Sequence, residues 1–302
     1  MLTAEQYLVP EIARRVSRLD LRAKFIVQGF LSGLHASPYR GFSLEFAEHR
    51  RYVPGDDPRN LDWTAWAKTD RLYVRTFQAE ANLSAYLLVD TSRSMGYASR
   101  EGAMTKLQYA TALAAAIGHL LVRQHDAVGL GIIGTGLARF LRPRSGRRQL
   151  VRVLAELAQA DGAGRTDLAP GLEAIARRVK RRSVMVLLSD LVDEPGPVLA
   201  AMKHLAHHGH DLIVFQILDA AERQLDFGGP VILEDPETGA RIATDADSIR
   251  AEYTRRLGEF VGLYERTIRD LGGDFAAMTT STPFDAALSR FLRERSSIRH
   301  SD

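Results

Sequence analysis

Asp90, Ser92 and Ser94 stand at alternate positions directly after an apolar run, in the stretch Leu87-Leu88-Val89-Asp90-Thr91-Ser92-Arg93-Ser94-Met95. One carboxylate and two neutral hydroxyls are hard oxygen ligands. They suit Mg²⁺, which takes about six oxygens at roughly 2.0–2.1 Å in near-octahedral geometry. A single acid leaves such an ion electrophilic, with a position free for water or for a carboxylate from another protein. Serine and threonine after a strand are also ordinary loop and cap residues, so the D-x-S-x-S spacing alone leaves both readings open. Two later segments bear on the choice. Gly162-Ala163-Gly164-Arg165-Thr166-Asp167-Leu168 delivers a hydroxyl and an acid just before a helical stretch, where a Thr-Asp pair also serves as a cap. Ser183-Val184-Met185-Val186-Leu187-Leu188 ends in Ser189-Asp190, a second apolar run closed by an acid.

The elements around these loops must bring them to one place. Ala85 to Val89 and Ser183 to Leu188 are continuous apolar runs, the signature of strands buried on both faces of a parallel sheet. In an open α/β sheet, ligands bind at the carboxyl ends of strands, so parallel strands ending in Asp90 and Asp190 place both acids on one edge. Thr105 to Gln124 carries Leu107, Ala110, Leu113, Ala114, Ile117 and Leu121 at helical spacing. Asp126 to Ile133 reads as a strand. Gly134-Thr135-Gly136 then turns into a third strand, Leu137 to Leu141, with Arg142, Arg144, Arg147 and Arg148 as an exposed basic loop around the next helix start. Helices are predicted over 149–158, 169–179, 198–208, 246–272 and 283–295, and strands over 211–218 and 274–278. The segment 219–244, punctuated by Gly228, Gly229, Pro230, Pro236 and Gly239, is predicted to be an inserted hairpin.

Composition sets outer limits. The chain has 302 residues, 40 basic against 37 acidic, a formal charge of +3 and no cysteine. The charge is too balanced for a dedicated nucleic-acid binder, and a thiolate metal site, a thiol nucleophile and a disulfide framework are all excluded. No phosphate loop of the G-x-x-x-x-G-K-[ST] type occurs. The longest apolar stretch, Ala110 to Val122, is too short to span a bilayer, and the N-terminus lacks the regions of a signal peptide. The expectation is a soluble, cytoplasmic protein.

Other candidates carry simpler readings. Thr3 to Gln6 fits a capping box, and residues 10–34 read as short helices punctuated by Pro10 and Asp20, with Arg14, Arg15, Arg18, Arg22 and Lys24 on a solvated face. From Pro38 to Glu80 the period breaks into short segments such as Phe42 to Phe46 and Leu72 to Phe77. Asp56, Asp57 and Asp62 there are read as residues of tight turns rather than a second metal cluster, and Trp63 and Trp66 as anchors of this elaboration. The domain plan is residues 1–80 as a helical and strand-containing elaboration and 81–302 as the α/β domain. His204 and His208 share a helix face but lack the glutamate of an H-E-x-x-H zinc site, so with His207 and His210 they are read as solvated.

Asp90, Ser92, Ser94, Thr166 and Asp190, in that order on three strand-end loops, resemble the metal-ion-dependent adhesion site of von Willebrand factor A domains. Arg40 to Phe46, Tyr52 to Trp63, Asp70 to Arg75, Leu87 to Met95, Thr105 to Leu107, Asp126 to Leu130 and Arg182 to Asp190 further resemble the bacterial family called domain of unknown function 58. That resemblance implies a Rossmann-like von Willebrand factor A domain with a mostly parallel sheet. It also implies one divalent cation, Mg²⁺ or else Mn²⁺ or Ca²⁺, held by hydroxyls of Ser92, Ser94 and Thr166 and by Asp90 and Asp190 directly or through water. A partner carboxylate would take the sixth position, and a MoxR-type AAA+ ATPase is the implied partner. The function expected is a non-enzymatic interaction module. The alternatives are a metal-dependent phosphatase with Asp90 as nucleophile, although Ser92 stands where haloacid-dehalogenase-like phosphatases place an acid, and a basic nucleic-acid-binding module.

Overall fold

The computed structural model describes residues 10–36, 49–51, 73–75, 83–100, 102–162 and 167–299. The described residues up to Phe30 group with those from Leu83 onward, and Leu31–Asn82 forms a second unit. Within the second unit, β1 (His49–Arg51) pairs antiparallel with β2 (Tyr73–Arg75). The expected Phe42 to Phe46 segment, the Asp56, Asp57 and Asp62 turns and both tryptophans lie outside the described residues, as does the Thr3 to Gln6 capping box.

The N-terminal region departs from expectation. α1 (Pro10–Ala36) is one continuous helix rather than several short ones. Pro10 is its first residue, where a missing N–H costs nothing. Asp20, mid-helix, competes little with the backbone because its carboxylate is taken by Lys24 one turn on and by His119 at 2.8 Å.

The main unit is built on a six-stranded sheet in the order β10-β7-β6-β3-β4-β5. The strands are β3 (Ser84–Asp90), β4 (Ala127–Gly134), β5 (Gly136–Arg144), β6 (Val184–Ser189), β7 (Asp211–Leu218) and β10 (Asp274–Thr279). All neighbours run parallel except β5, which returns antiparallel to β4 and places Arg142 and Arg144 on an edge strand rather than in a loop. The helices are α2 (Lys106–Arg123), α3 (Arg147–Leu157), α4 (Leu168–Arg178), α5 (Pro195–His207), α6 (Ala220–Gln224), α7 (Ala246–Asp270) and α8 (Phe284–Arg299). The fold is therefore the α/β class with a mostly parallel, helix-flanked sheet that the apolar runs call for. The 219–244 insert contains the expected hairpin, β8 (Pro230–Glu234) with β9 (Arg241–Asp245), preceded by the short helix α6.

Both faces of the sheet are covered. Tyr86 and Leu88 of β3, Met185 and Leu187 of β6 and Leu212 and Val214 of β7 pack with α4, α5 and α7 in one cluster. The alternate residues, Leu87 and Val89 among them, are buried on the other face, where α2 runs with Gly118 close to Leu87. Removal of this much apolar side chain from water, about 1.5–3 kcal/mol for each large residue, is what makes the strands continuous apolar runs.

The connections define where a site can form. From β3 the chain passes through α2 to β4 on one side, then returns past β3 to β6 on the other. Strand order reverses at β3 and β6, and the crevice at their carboxyl ends is the expected binding place in a doubly wound sheet.

Candidate functional site

The carboxyl ends of β3 and β6 meet at this crevice. The two strands pair parallel with Val89 opposite Leu188, so Asp90 closes one strand beside Ser189 and Asp190 follows the other. Both aspartates are buried, with 1% and 0% of their surface exposed. Each oxygen of Asp90 has a partner: Oδ1 accepts the Ser92 N–H at 2.9 Å, and Oδ2 accepts the Ser189 hydroxyl at 2.6 Å. Burial first and the charge of Asp190 second push the Asp90 carboxyl up to about 7, against the pull of those hydrogen bonds. The Ser94–Gly96 3-10 turn folds the loop back, and the hydroxyls of Ser92 and Ser94, both buried, lie 3.0 Å apart.

Thr166 lies outside the described residues, which resume at Asp167 after Gly162. A Cβ at Gly162 would stand 3.1 Å from the Gly96 nitrogen and 3.3 Å from the Ser92 carbonyl oxygen, so a side chain there would press the backbone of the Asp90 loop. Asp167 occupies the N-cap position of α4, but its side chain makes no capping bond there. The cap comes instead from Asp193, whose Oδ2 accepts the Leu168 N–H at 3.1 Å.

Four of the five expected residues are thus brought to one crevice. A fifth group, absent from the sequence reading, joins them. Lys106, the first residue of α2, is fully buried and donates to Asp190 Oδ2 and to Glu222 Oε1, each at 2.8 Å. Burial alone would lower its affinity for a proton, but the two carboxylates outweigh it and hold the ammonium above its ordinary range. The signal was present in the sequence: Lys106 falls in phase with Ala110, Leu113 and Ile117, a cation on the buried stripe of a helix. The Thr105 side chain and Gln108 form a reciprocal capping box that fixes the helix start. Glu222 had no comparable signal, since it sits in the irregular insert. Its second oxygen accepts the Asp219 N–H, and Asp219 in turn accepts the Ser99 N–H at 3.2 Å. Gln216 Nε2 reaches the Asp190 carbonyl at 3.3 Å, leaving its buried Oε1 without a hydrogen-bond partner.

The donor set is compatible with a hard divalent cation: carboxylate and hydroxyl oxygens, with no sulfur or imidazole among them. Its acids number two around the hydroxyls, and among the described residues no group of three His, Asp or Glu forms a metal cluster. The expectation that His204, His207, His208 and His210 are solvated holds only in part. His204 pairs with Glu173 at 2.8 Å, but His210, expected to be solvated, is buried, and burial lowers its pKa.

The chain is 30% identical to uncharacterized proteins of Mycobacterium bovis and of Mycobacterium tuberculosis over 293 residues, which cover 95% of this chain and 90% of each relative. Similar solved structures include the conserved hypothetical protein BatB from Bacteroides thetaiotaomicron, at 14% identity and a TM-score of 0.48, covering 71% of this chain and 99% of that one. They also include the SpRpn10 VWA domain, at 11% identity and a TM-score of 0.39, covering 69% and 94%. Among the described residues, no helix is long and apolar enough to cross a membrane. Residues 48–259 match the family described as protein of unknown function DUF58, and the protein belongs to that family.

Proposed function

We propose that this protein is a divalent-cation-dependent protein-interaction module. In this reading Asp90, Ser92 and Ser94, completed by Asp190 and Thr166, hold Mg²⁺, with Mn²⁺ or Ca²⁺ as substitutes. The remaining coordination position takes an Asp or Glu carboxylate of a client protein. A MoxR-type AAA+ ATPase is the proposed partner, on the strength of the family resemblance.

The observation that carries the reading is the buried pairing of the Ser92 and Ser94 hydroxyls beside a carboxylate that burial and a second acid drive toward protonation. A divalent cation there supplies the positive charge that holds this carboxyl ionised. The phosphatase alternative lacks the second acid of haloacid-dehalogenase-like phosphatases, since Ser92 stands two residues after Asp90 where they place it.

Calorimetric titration of Mg²⁺ and Mn²⁺ into the wild type, Asp90→Asn and Ser92→Ala tests the proposal, with folding checked by circular dichroism. Asparagine keeps the size of the buried acid while removing its charge. Saturable single-site binding in the wild type, lost or at least tenfold weaker in both folded variants, is expected. Wild-type silence toward both ions, or equal binding by Asp90→Asn, overturns the reading.

A further inference from the structure

The Lys106 ammonium sits between two carboxylates that belong to different parts of the molecule. Asp190 is part of the cation site at the end of β6, whereas Glu222 is on α6, in the insert between β7 and α7. Two further contacts tie the same insert to the loop that carries Ser92 and Ser94. Arg93 donates to the Pro236 carbonyl at 3.1 Å, and the Ser99 N–H bonds to Asp219. The Tyr253 hydroxyl donates to the Glu222 carbonyl at 2.6 Å and fixes α6 from its other side.

We propose that Lys106 is a resident cation that competes with the divalent ion for Asp190 and thereby couples occupancy of the site to the position of the 219–245 insert. The inference rests on the cation-site reading above and names its regulation. One carboxylate cannot give full charge both to an ammonium at 2.8 Å and to a divalent cation. When the divalent cation draws on Asp190, like-charge repulsion moves the ammonium off that carboxylate, and the bridge from β6 through Lys106 to α6 is broken at its β6 end. The insert is then tied through Glu222 to Lys106 alone and shifts with that side chain. It carries two of the most exposed large apolar side chains among the described residues, Ile232 and Ile242. This shift of the insert therefore changes how an apolar hairpin is presented beside the site. Without the cation, Lys106 compensates Asp190, so the unoccupied site is stable rather than strained.

The test is hydrogen–deuterium exchange of peptides covering 219–245, with and without Mg²⁺ at matched ionic strength, alongside the Mg²⁺ titration. In the wild type, Mg²⁺ is expected to speed exchange in 219–225 at least fivefold. Lys106→Met removes the competing cation, so it is expected to bind Mg²⁺ at least tenfold more tightly and to show fast insert exchange already without the ion. Glu222→Gln cuts only the insert's end of the bridge and serves if the methionine variant does not fold. It is expected to exchange in 219–225 at the Mg²⁺-bound rate with no further response to the ion. Wild-type Mg²⁺ binding with unchanged insert exchange, weaker binding by folded Lys106→Met, or a wild-type exchange pattern in Glu222→Gln overturns the coupling while leaving the cation site standing. Absence of Mg²⁺ binding in the wild type removes the cation reading and the coupling with it.

Discussion

The Ser189 hydroxyl donates to Asp90 Oδ2 at 2.6 Å, joining the last residue of β6 to the last residue of β3 across 99 positions of sequence. The Ser189 Oγ in turn accepts the Leu191 N–H at 2.9 Å, and Leu191 lies at a φ of 59°, a left-handed conformation that few branched side chains adopt. One serine thus holds the buried acid of the first strand and the sharp exit of the second.

Ser189→Ala is expected to lower stability by about 1–3 kcal/mol, because it leaves the Leu191 N–H without its partner and takes a donor from Asp90. Chemical denaturation measures this directly. A change below about 0.5 kcal/mol would show that the loop re-forms its hydrogen bonds without the hydroxyl.

Gly171→Ala tests how closely α4 lies on the sheet. A Cβ there would stand 2.4 Å from Cγ2 of Ile133, a buried strand side chain whose own carbonyl accepts the Thr91 hydroxyl and N–H at the edge of the crevice. The steric cost is expected to exceed the gain in helix propensity, with a net loss of about 1–3 kcal/mol in a thermal or urea melt. An unchanged or raised midpoint would mean that the helix shifts at little cost.

His119 gives a pH dependence with a definite sign. Burial lowers the pKa of its ring from the ordinary 6.5, and the charge and hydrogen bond of Asp20 restore only part of this. The unfolded chain therefore takes up a proton at a higher pH than the folded chain. Stability is full above about 6.5 and falls as pH drops from there toward the lowered folded value. Asp20 acts in a separate, more acidic window: burial would raise its pKa, but Lys24 and His119 bring it below 3.8, so its contribution is lost only as pH falls through that lowered value. Urea midpoints at about pH 7.5 and pH 5.5 are expected to differ more in the wild type than in His119→Gln. Equal differences in the two proteins would assign the slope to other groups.

The legible part of this molecule is the part governed by local pattern. β7 spans Asp211–Leu218 as expected, and Thr105 marks the start of α2 through a capping box written in the sequence. Misreadings arose where distant partners decide. Asp20 marks a helix break by propensity, yet it sits inside a helix because His119, 99 residues away, takes its carboxylate. Asp167 has the composition of a cap, but Asp193 supplies the bond. The acids and hydroxyls of the candidate site were visible by type and spacing. The cation among them was less so, because a lysine is ordinarily a surface residue, and only its phase with Ala110 and Leu113 identifies it as buried.

β5 ends the six-stranded sheet opposite β10, and of the strands of that sheet it is the one whose side chains remain largely outside the core. Arg139, Arg142 and Arg144 are exposed along it, and Pro143 takes away one of the backbone N–H groups that another strand would need. Two such edges brought together would set guanidinium groups against one another and leave a gap in the hydrogen-bond ladder. These arginines, of which Arg142 and Arg144 read as part of a basic loop, thus act as a guard against edge-to-edge aggregation, at the margin of a sheet whose inner strands are among the most apolar stretches of the chain.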